Sequence, residues 1–194
     1  MPARTVILAS TSAYRRELLS RLRIRFDAIP PEVDETALPG ETPRALAERL
    51  ALAKAKAVAQ RFPEAVVIGS DQVADLHGLA LGKPGDHARA TQQLQQMRGQ
   101  TLIFQTAVAV VCLASGFEQR DLAPVRVVFR NVGDAAIEAY LRAEQPYDCA
   151  GSAKSEGLGI ALLETIDRDD PTALVGLPLI RTCNMLRAAG VDLL

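Results

Sequence analysis

The chain has 194 residues, 48% of them hydrophobic, which is enough for one sizeable core and short for two independent domains. Its 22 basic and 23 acidic residues nearly cancel, so the surplus of Lys and Arg on which general nucleic-acid binding draws is absent. Three scattered cysteines, Cys112, Cys149 and Cys183, have no CxxC spacing, and with His77 and His87 as the only histidines the pattern favours reduced thiols in a cytoplasmic protein over a zinc site.

Met1 to Thr5 lead into a short apolar run, Val6 to Ala9, too brief for a signal peptide and right for a buried strand. The longest apolar run, Ala107 to Ala114, falls well short of the roughly 20 residues that a membrane-spanning helix needs. Small polar residues, Ser10-Thr11-Ser12, break the first strand, and Ser12 is placed to cap a helix carrying Leu18, Leu19 and Leu22. Phe26 to Ile29 reads as a second strand, and residues 30–40, rich in Pro and Gly, as a loop. Thr42-Pro43 opens a long helix, since proline at the first helical position loses no hydrogen bond.

Ala65 to Ile68 is a fully apolar strand that the sequence ends at Gly69-Ser70-Asp71. A hairpin at His77-Gly78, a helix over 87–97 and two β-rich stretches, Leu102 to Leu113 and Val125 to Val132, follow. A helix over 134–143, a glycine-bearing loop, a strand from Ile160 to Ile166 and a helix from Leu179 to Ala189 complete the chain. Helices alternating with apolar strands, with hairpin-like strands between them, predict an α/β fold with a mixed sheet and flanking helices.

Four features carry candidate chemistry. The strand–Ser10-Thr11-Ser12–helix junction, with Arg15 in the first turn, combines free amide groups with a guanidinium, as phosphate binding requires; a capped helix with solvated arginines explains it equally. Asp71, after an apolar strand, stands where α/β folds place ligands and suits a metal ligand, a base or a turn aspartate. Glu35 sits in an acidic, Pro-rich loop, and Lys54 and Lys56 on a helix, where solvated side chains are the ordinary finding. Lys83, between Gly82 and Pro84, is held on a stiff loop. None of the P-loop, Rossmann, zincin or nucleophile-elbow patterns is present.

Taken in order, Leu8-Ala9-Ser10-Thr11-Ser12-Ala13-Tyr14-Arg15-Arg16-Glu17-Leu18-Leu19, Glu32-Val33-Asp34-Glu35, Arg49-Leu50-Ala51 through Lys54-Ala55, Ile68-Gly69-Ser70-Asp71-Gln72-Val73 and Gly82-Lys83-Pro84 resemble the Maf family of nucleotide pyrophosphatases. Cys149-Ala150-Gly151-Ser152, Lys154-Ser155-Glu156-Gly157 and Val175-Gly176-Leu177-Pro178-Leu179 extend the resemblance over nearly the whole chain. It implies one domain over residues 1–194, with a two-lobed fold like that of inosine triphosphate pyrophosphatases and a site in the cleft between the lobes. It also implies cleavage between the α and β phosphates with a divalent cation, Mg²⁺ or Mn²⁺. Asp71 matches the family's proton acceptor, with a metal-binding role left open beside it. Lys54 and Lys83 match catalytic phosphate-handling positions, Ser10 and Arg15 phosphate-binding ones, and Glu35 an acidic residue that helps to hold the metal.

Tyr14, Gln72 and Glu156 match the positions that set base preference, and their surroundings resemble the branch acting on 7-methyl-GTP. That branch carries tryptophan where Tyr14 stands and proline where Ala13 stands; the dTTP/UTP branch carries arginine, threonine and glutamine at the three positions. 7-Methylguanine is a cation, which an aromatic face attracts by roughly 0.5–2 kcal/mol. A carboxylate at Glu156 can accept from guanine N1–H and the exocyclic amine, a pairing that discriminates by about 1–3 kcal/mol. The expected partner is thus a small nucleotide, with no general nucleic-acid binding and no membrane; a homodimer is left open. The alternatives are a pyrophosphatase preferring dTTP or UTP, or a broad one, and a regulatory nucleotide binder linked to cell division.

Overall fold

The computed structural model describes residues 4–194; what the sequence suggested about Met1 to Ala3 lies outside them. The strands are β1 (Val6–Ala9), β2 (Asp27–Ile29), β3 (Val66–Leu76), β4 (Leu79–Leu81), β5 (Thr101–Cys112), β6 (Phe117–Phe129) and β7 (Leu163–Asp167). The helices are α1 (Ala13–Ser20), α2 (Pro43–Ala59), α3 (His87–Met97), α4 (Asp134–Glu144) and α5 (Leu179–Ala188), with short 3₁₀ turns over 150–152, 158–162 and 173–175. Both anticipated caps form: Ser12 accepts from the Arg15 amide and Thr42 from the Ala45 amide, with Pro43 opening α2. Among the described residues no helix is long and apolar enough to cross a membrane.

All strands join one mixed sheet in the order β2-β1-β3-β5-β6-β7, with β4 added to β3. β1 is parallel to β2 and β3, and every other pairing is antiparallel. The chain steps outward from β1 to β2 and then back past β1 to β3, so right-handed crossovers put α1 and α2 on opposite faces. Strand alternation matches this placement. Val6, Leu8, Val66 and Ile68 pack with residues of α1 and α5, whereas Ile7, Ala9 and Val67 pack with the apolar stripe of α2. The far halves of β3, β5 and β6 share a separate core with α3 and α4, built around Leu94, Phe104, Val125, Ile137 and Leu141. The long strands therefore run through two packed lobes.

Three strands differ from the sequence reading at their boundaries, and one of them, β6, also ends at Phe129 rather than Val132. β3 continues through Ser70 and Asp71 to Leu76, because those polar residues stay paired with Val108 and Ala107 of β5. β6 begins at Phe117 rather than Val125, its first half being an exposed run, Glu118 to Asp121, with no apolar signal to mark it. The last strand starts at Leu163, since residues 158–162 form a 3₁₀ turn.

The edge of β3 facing β1 has a gap. β1 pairs with Val66 to Gly69 and β4 with Ala74 to Leu76, while β5 takes the opposite edge, so among the described residues Ser70 to Val73 have no strand neighbour on this side. Below the gap, α2 lies almost on the strand: a Cβ at Gly69 would stand 2.2 Å from the Ala51 carbonyl oxygen and 2.6 Å from the Ala55 nitrogen. Gly69→Ala must therefore lift α2 and lower stability by about 1–3 kcal/mol. Thermal unfolding should show a fall in midpoint of roughly 2–12 °C for a domain of this size, and activity should drop with it because α2 carries Lys54.

Candidate active site

All the residues matched to the family's site line one cavity of about 900 Å³ that opens at the β3 gap: Ser10, Tyr14, Arg15, Glu35, Lys54, Asp71, Gln72, Lys83 and Glu156. β1 and the turn into α1 wall one side of it, and the loop after β4, with Lys83, walls the other. This is the crevice beyond the carboxyl end of a parallel strand, where the connections on either side lead to opposite faces.

Lys54 lies at the centre. Its stem runs along the buried face of α2 and only 4% of the residue is exposed, unlike Lys56, which makes a surface pair with Glu118 at 2.8 Å. The Lys54 ammonium donates to Asp71 Oδ1 at 2.6 Å and lies 2.8 Å from Glu35 Oε1, so one cation joins two carboxylates from different segments. Partial desolvation raises the Glu35 carboxyl, but the hydrogen bond and charge of Lys54, with Lys83 and Arg15 behind it, outweigh this and hold it below the usual carboxylate range.

The loop bearing Glu35 is fastened to α2 by residues whose role the sequence reading did not pick out. Arg49 donates through Nε and Nη2 to the two oxygens of Glu41, at 2.6 and 2.8 Å, and through Nη2 to the carbonyl of Thr36 at 3.0 Å. The hydrogen bond from Arg49 pulls the Glu41 carboxyl down to about 2. Arg49 and Glu41 stand eight positions apart, a spacing with no local signature.

The other wall is fixed by hydrogen bonds between side chains and the main chain. Ser10 Oγ accepts from the Ser12 amide at 3.1 Å and tightens the turn into α1, whose residues carry the unpaired first-turn N–H groups of any helix. Arg15 Nε donates to the Gly176 carbonyl at 2.8 Å, which fixes the guanidinium plane and leaves its terminal nitrogens for an anion. Desolvation pulls the Arg15 guanidinium below its usual range, while the nearby Asp71 and Glu35 oppose that shift. Gly176 has φ 116° and lies against Arg15, a conformation that a side chain would strain.

Gln72 is also on the wall, with its Nε2 3.0 Å from the Ala173 carbonyl and 2.9 Å from that of Leu174. Two main-chain carbonyls can meet only donors, so the Gln72 amide oxygen is the atom left to accept from a ligand. Tyr14 is half-buried, and desolvation together with the charges of Cys149 and Asp148 pushes its phenol up to about 12, so it is neutral. The exposed Glu156 lies on the wall as well; its segment is fastened by Glu144, which binds Lys154 Nζ at 2.9 Å and accepts from the Leu158 amide at 2.8 Å.

Among the described residues no group of three or more His, Cys, Asp or Glu side chains is arranged to hold a metal. Glu35 and Asp71, both in contact with the Lys54 ammonium, are two carboxylates converging on one point. That donor set fits Mg²⁺ or Mn²⁺, which commonly take one or two protein carboxylates and fill the remaining positions with phosphate oxygens and water.

Residues 5–189 match the sequence profile described as Maf-like protein. The chain belongs to the Maf family. Members of the family similar to it include proteins named 7-methyl-GTP pyrophosphatase from a Polaromonas species, 76% identical over 98% of this chain and 87% of its own length, and from Albidiferax ferrireducens, 71% identical over 98% and 96%. A third, from Burkholderia pseudomallei, bears the same name and is 61% identical over 97% of this chain and 89% of its own. The Staphylococcus aureus Ham1 structure superposes with a TM-score of 0.48 and 14% identity over 66% of this chain and 73% of that one.

The central ammonium gives an asymmetric expectation. Lys54→Met leaves Glu35 and Asp71 facing each other without their cation, whereas Asp71→Asn leaves Lys54 paired with Glu35. The first should destabilise more than the second, by about 1–3 kcal/mol in denaturant unfolding. Because the folded-state Glu35 carboxyl is depressed, its contribution is complete above the ordinary value of about 4.3 and is lost as pH falls through the depressed one. The stability gap between wild type and Glu35→Gln should thus be present at neutral pH and close in acid, as acid-unfolding curves would measure.

Proposed function

We propose that this chain hydrolyses 7-methyl-GTP to 7-methyl-GMP and pyrophosphate, removing a modified nucleotide in the cytoplasm. The observation that carries the reading is a single cavity with Arg15, Lys54 and Lys83 gathered about Asp71 and Glu35, and with Tyr14, Gln72 and Glu156 also on its wall. The names of relatives at 61–76% identity support the same substrate. We read residues 1–194 as one functional unit with its site between the lobes, acting on a small nucleotide.

A triphosphate carries about four negative charges, which repel an incoming oxygen nucleophile until they are neutralised. Arg15, Lys54 and Lys83 supply that neutralisation, and Ser10 with the first-turn amides of α1 holds phosphate oxygens. Glu35 and Asp71 would hold the divalent cation, which when bound neutralises phosphate charge. Asp71, oriented by Lys54, takes a proton from the attacking water. The water oxygen bonds to the α-phosphorus as the bond to the α–β bridging oxygen breaks, and that oxygen leaves with its electron pair on pyrophosphate. At the base end, the Glu156 carboxylate accepts from guanine N1–H and the exocyclic amine, and Tyr14 offers its ring to the methylated cation.

The first test is a panel of 7-methyl-GTP, GTP, dTTP, UTP and ATP with Mg²⁺ or Mn²⁺, resolving pyrophosphate from orthophosphate. Pyrophosphate released fastest from 7-methyl-GTP is the expected outcome. A lead for dTTP or UTP moves the substrate to the other branch, and no turnover at all favours a nucleotide-binding regulator. Asp71→Ala should lower kcat by about 10²–10⁴-fold, and chelation of the divalent cation should abolish turnover.

A further inference from the structure

Charge is divided unevenly along the cavity wall. The lining cations, Arg15, Lys54 and Lys83, all act on Glu35 and so gather at the phosphate end. Of the lining carboxylates, Asp148 acts on Tyr14, and Asp148 and Glu156 both act on its neighbour Cys149; the remaining lining acid, Glu32, lies on the loop that leads into Glu35. Lys154 Nζ lies 5.7 Å from the Tyr14 ring centroid; it is paired with Glu144 at 2.9 Å and is not part of the wall.

Asp148 is attached to this end through Cys149. Its Oδ1 is 3.6 Å from the Cys149 Sγ, which in turn lies 3.9 Å from the Tyr14 hydroxyl. Asp148 is exposed on its own account and makes no ion pair among the described residues, so its charge is free to act on a ligand. Its field is felt locally: after burial, Asp148 is the leading cause that pushes the Cys149 thiol up to about 12, and it raises the Tyr14 phenol as well.

Resting on the substrate reading above, we propose that Asp148 is a specificity-determining residue that distinguishes the cationic 7-methylguanine from neutral guanine. The other base contacts do not make this distinction well. Glu156 and the Gln72 oxygen read hydrogen-bond donors that both bases present, and Lys154 near the Tyr14 ring weakens that ring's pull on a second cation. A fixed negative charge beside the ring attracts a base only when the base is charged, so it acts on the methylated nucleotide and is nearly silent toward the plain one.

The test compares kcat/KM for 7-methyl-GTP and GTP on the same protein preparations. Asp148→Asn should lower the ratio of the two by about 3- to 10-fold, the effect of one unit charge several ångströms away in a partly solvated cleft. Asp148→Glu, which keeps the charge, should restore most of the ratio, and raising ionic strength should narrow the difference between wild type and Asp148→Asn. A ratio within twofold of wild type in Asp148→Asn, where the wild type does prefer 7-methyl-GTP, overturns the inference while leaving the substrate reading intact. A wild type with no preference for 7-methyl-GTP, or no turnover of any nucleotide, overturns the substrate reading and this inference together.

Discussion

The arrangement of the cavity depends on the Lys54 ammonium and on what brings it there. It is nearly buried and shared by Asp71 from β3 and Glu35 from a surface loop, so three distant stretches of chain are joined at one nitrogen. Such a group is tolerated in the interior only because two anions meet it, and those anions in turn could not face each other without it. The close approach of α2 to β3 sets the reach: with Ala51 and Ala55 on the helix and no side chain on Gly69, the Lys54 stem arrives at Asp71 at hydrogen-bond distance.

The sheet supplies the other half of the arrangement. A strand normally sends alternate side chains to opposite faces, so Ser70 and Gln72 would be separated from Asp71 by the sheet itself. Because neither β1 nor β4 covers residues 70–73, the separation fails along that edge and side chains from both faces work around one opening. Ser70 and Gln72 bind carbonyls of the 173–176 segment, Asp71 reaches α2, and the cavity lies at the edge between them. The gap is also where the parallel and antiparallel parts of the sheet meet, and the cavity opens there.

Much of this was legible in the residues. Caps at Ser12 and Thr42, the apolar strands and the alternation of helices with strands are local signals, and the mixed α/β sheet follows from them. The resemblance to Maf proteins gathered candidate residues that individually read as turns, caps or surface charges, and all of them line the cavity. What the sequence hid is tertiary. The polar letters Ser70-Asp71-Gln72 look like the end of a strand, because nothing local says that their partners lie across a gap in the sheet. Lys54 and Lys56 are indistinguishable as letters two positions apart on one helix, yet one is buried at the centre and the other pairs with Glu118 on the surface. Arg49 meets Glu41 eight positions away, and Asp148 comes near Tyr14 only because folding brings its neighbour Cys149 to the Tyr14 hydroxyl, so no spacing rule could have selected them.

The two ends of the cavity are built to different tolerances. At the phosphate end each charge is fixed by another: Lys54 by two acids, Arg15 by the Gly176 carbonyl, and the Glu35 loop by the two-pronged Arg49–Glu41 contact. Dipoles and charges held in place before the substrate arrives need little reorganisation during reaction, which is how such groups stabilise a developing charge. At the other end the carboxylates of Asp148 and Glu156 are exposed; Asp148 meets the wall through Cys149, and the segment bearing Glu156 is anchored at Tyr140 and Glu144. A change at Tyr14, Asp148 or Glu156 therefore disturbs no contact on which the Lys54 cluster relies. On the proposed function, base preference would shift by substitution at the exposed end while the chemistry at the buried end is kept, because among the described residues the two share no ion pair.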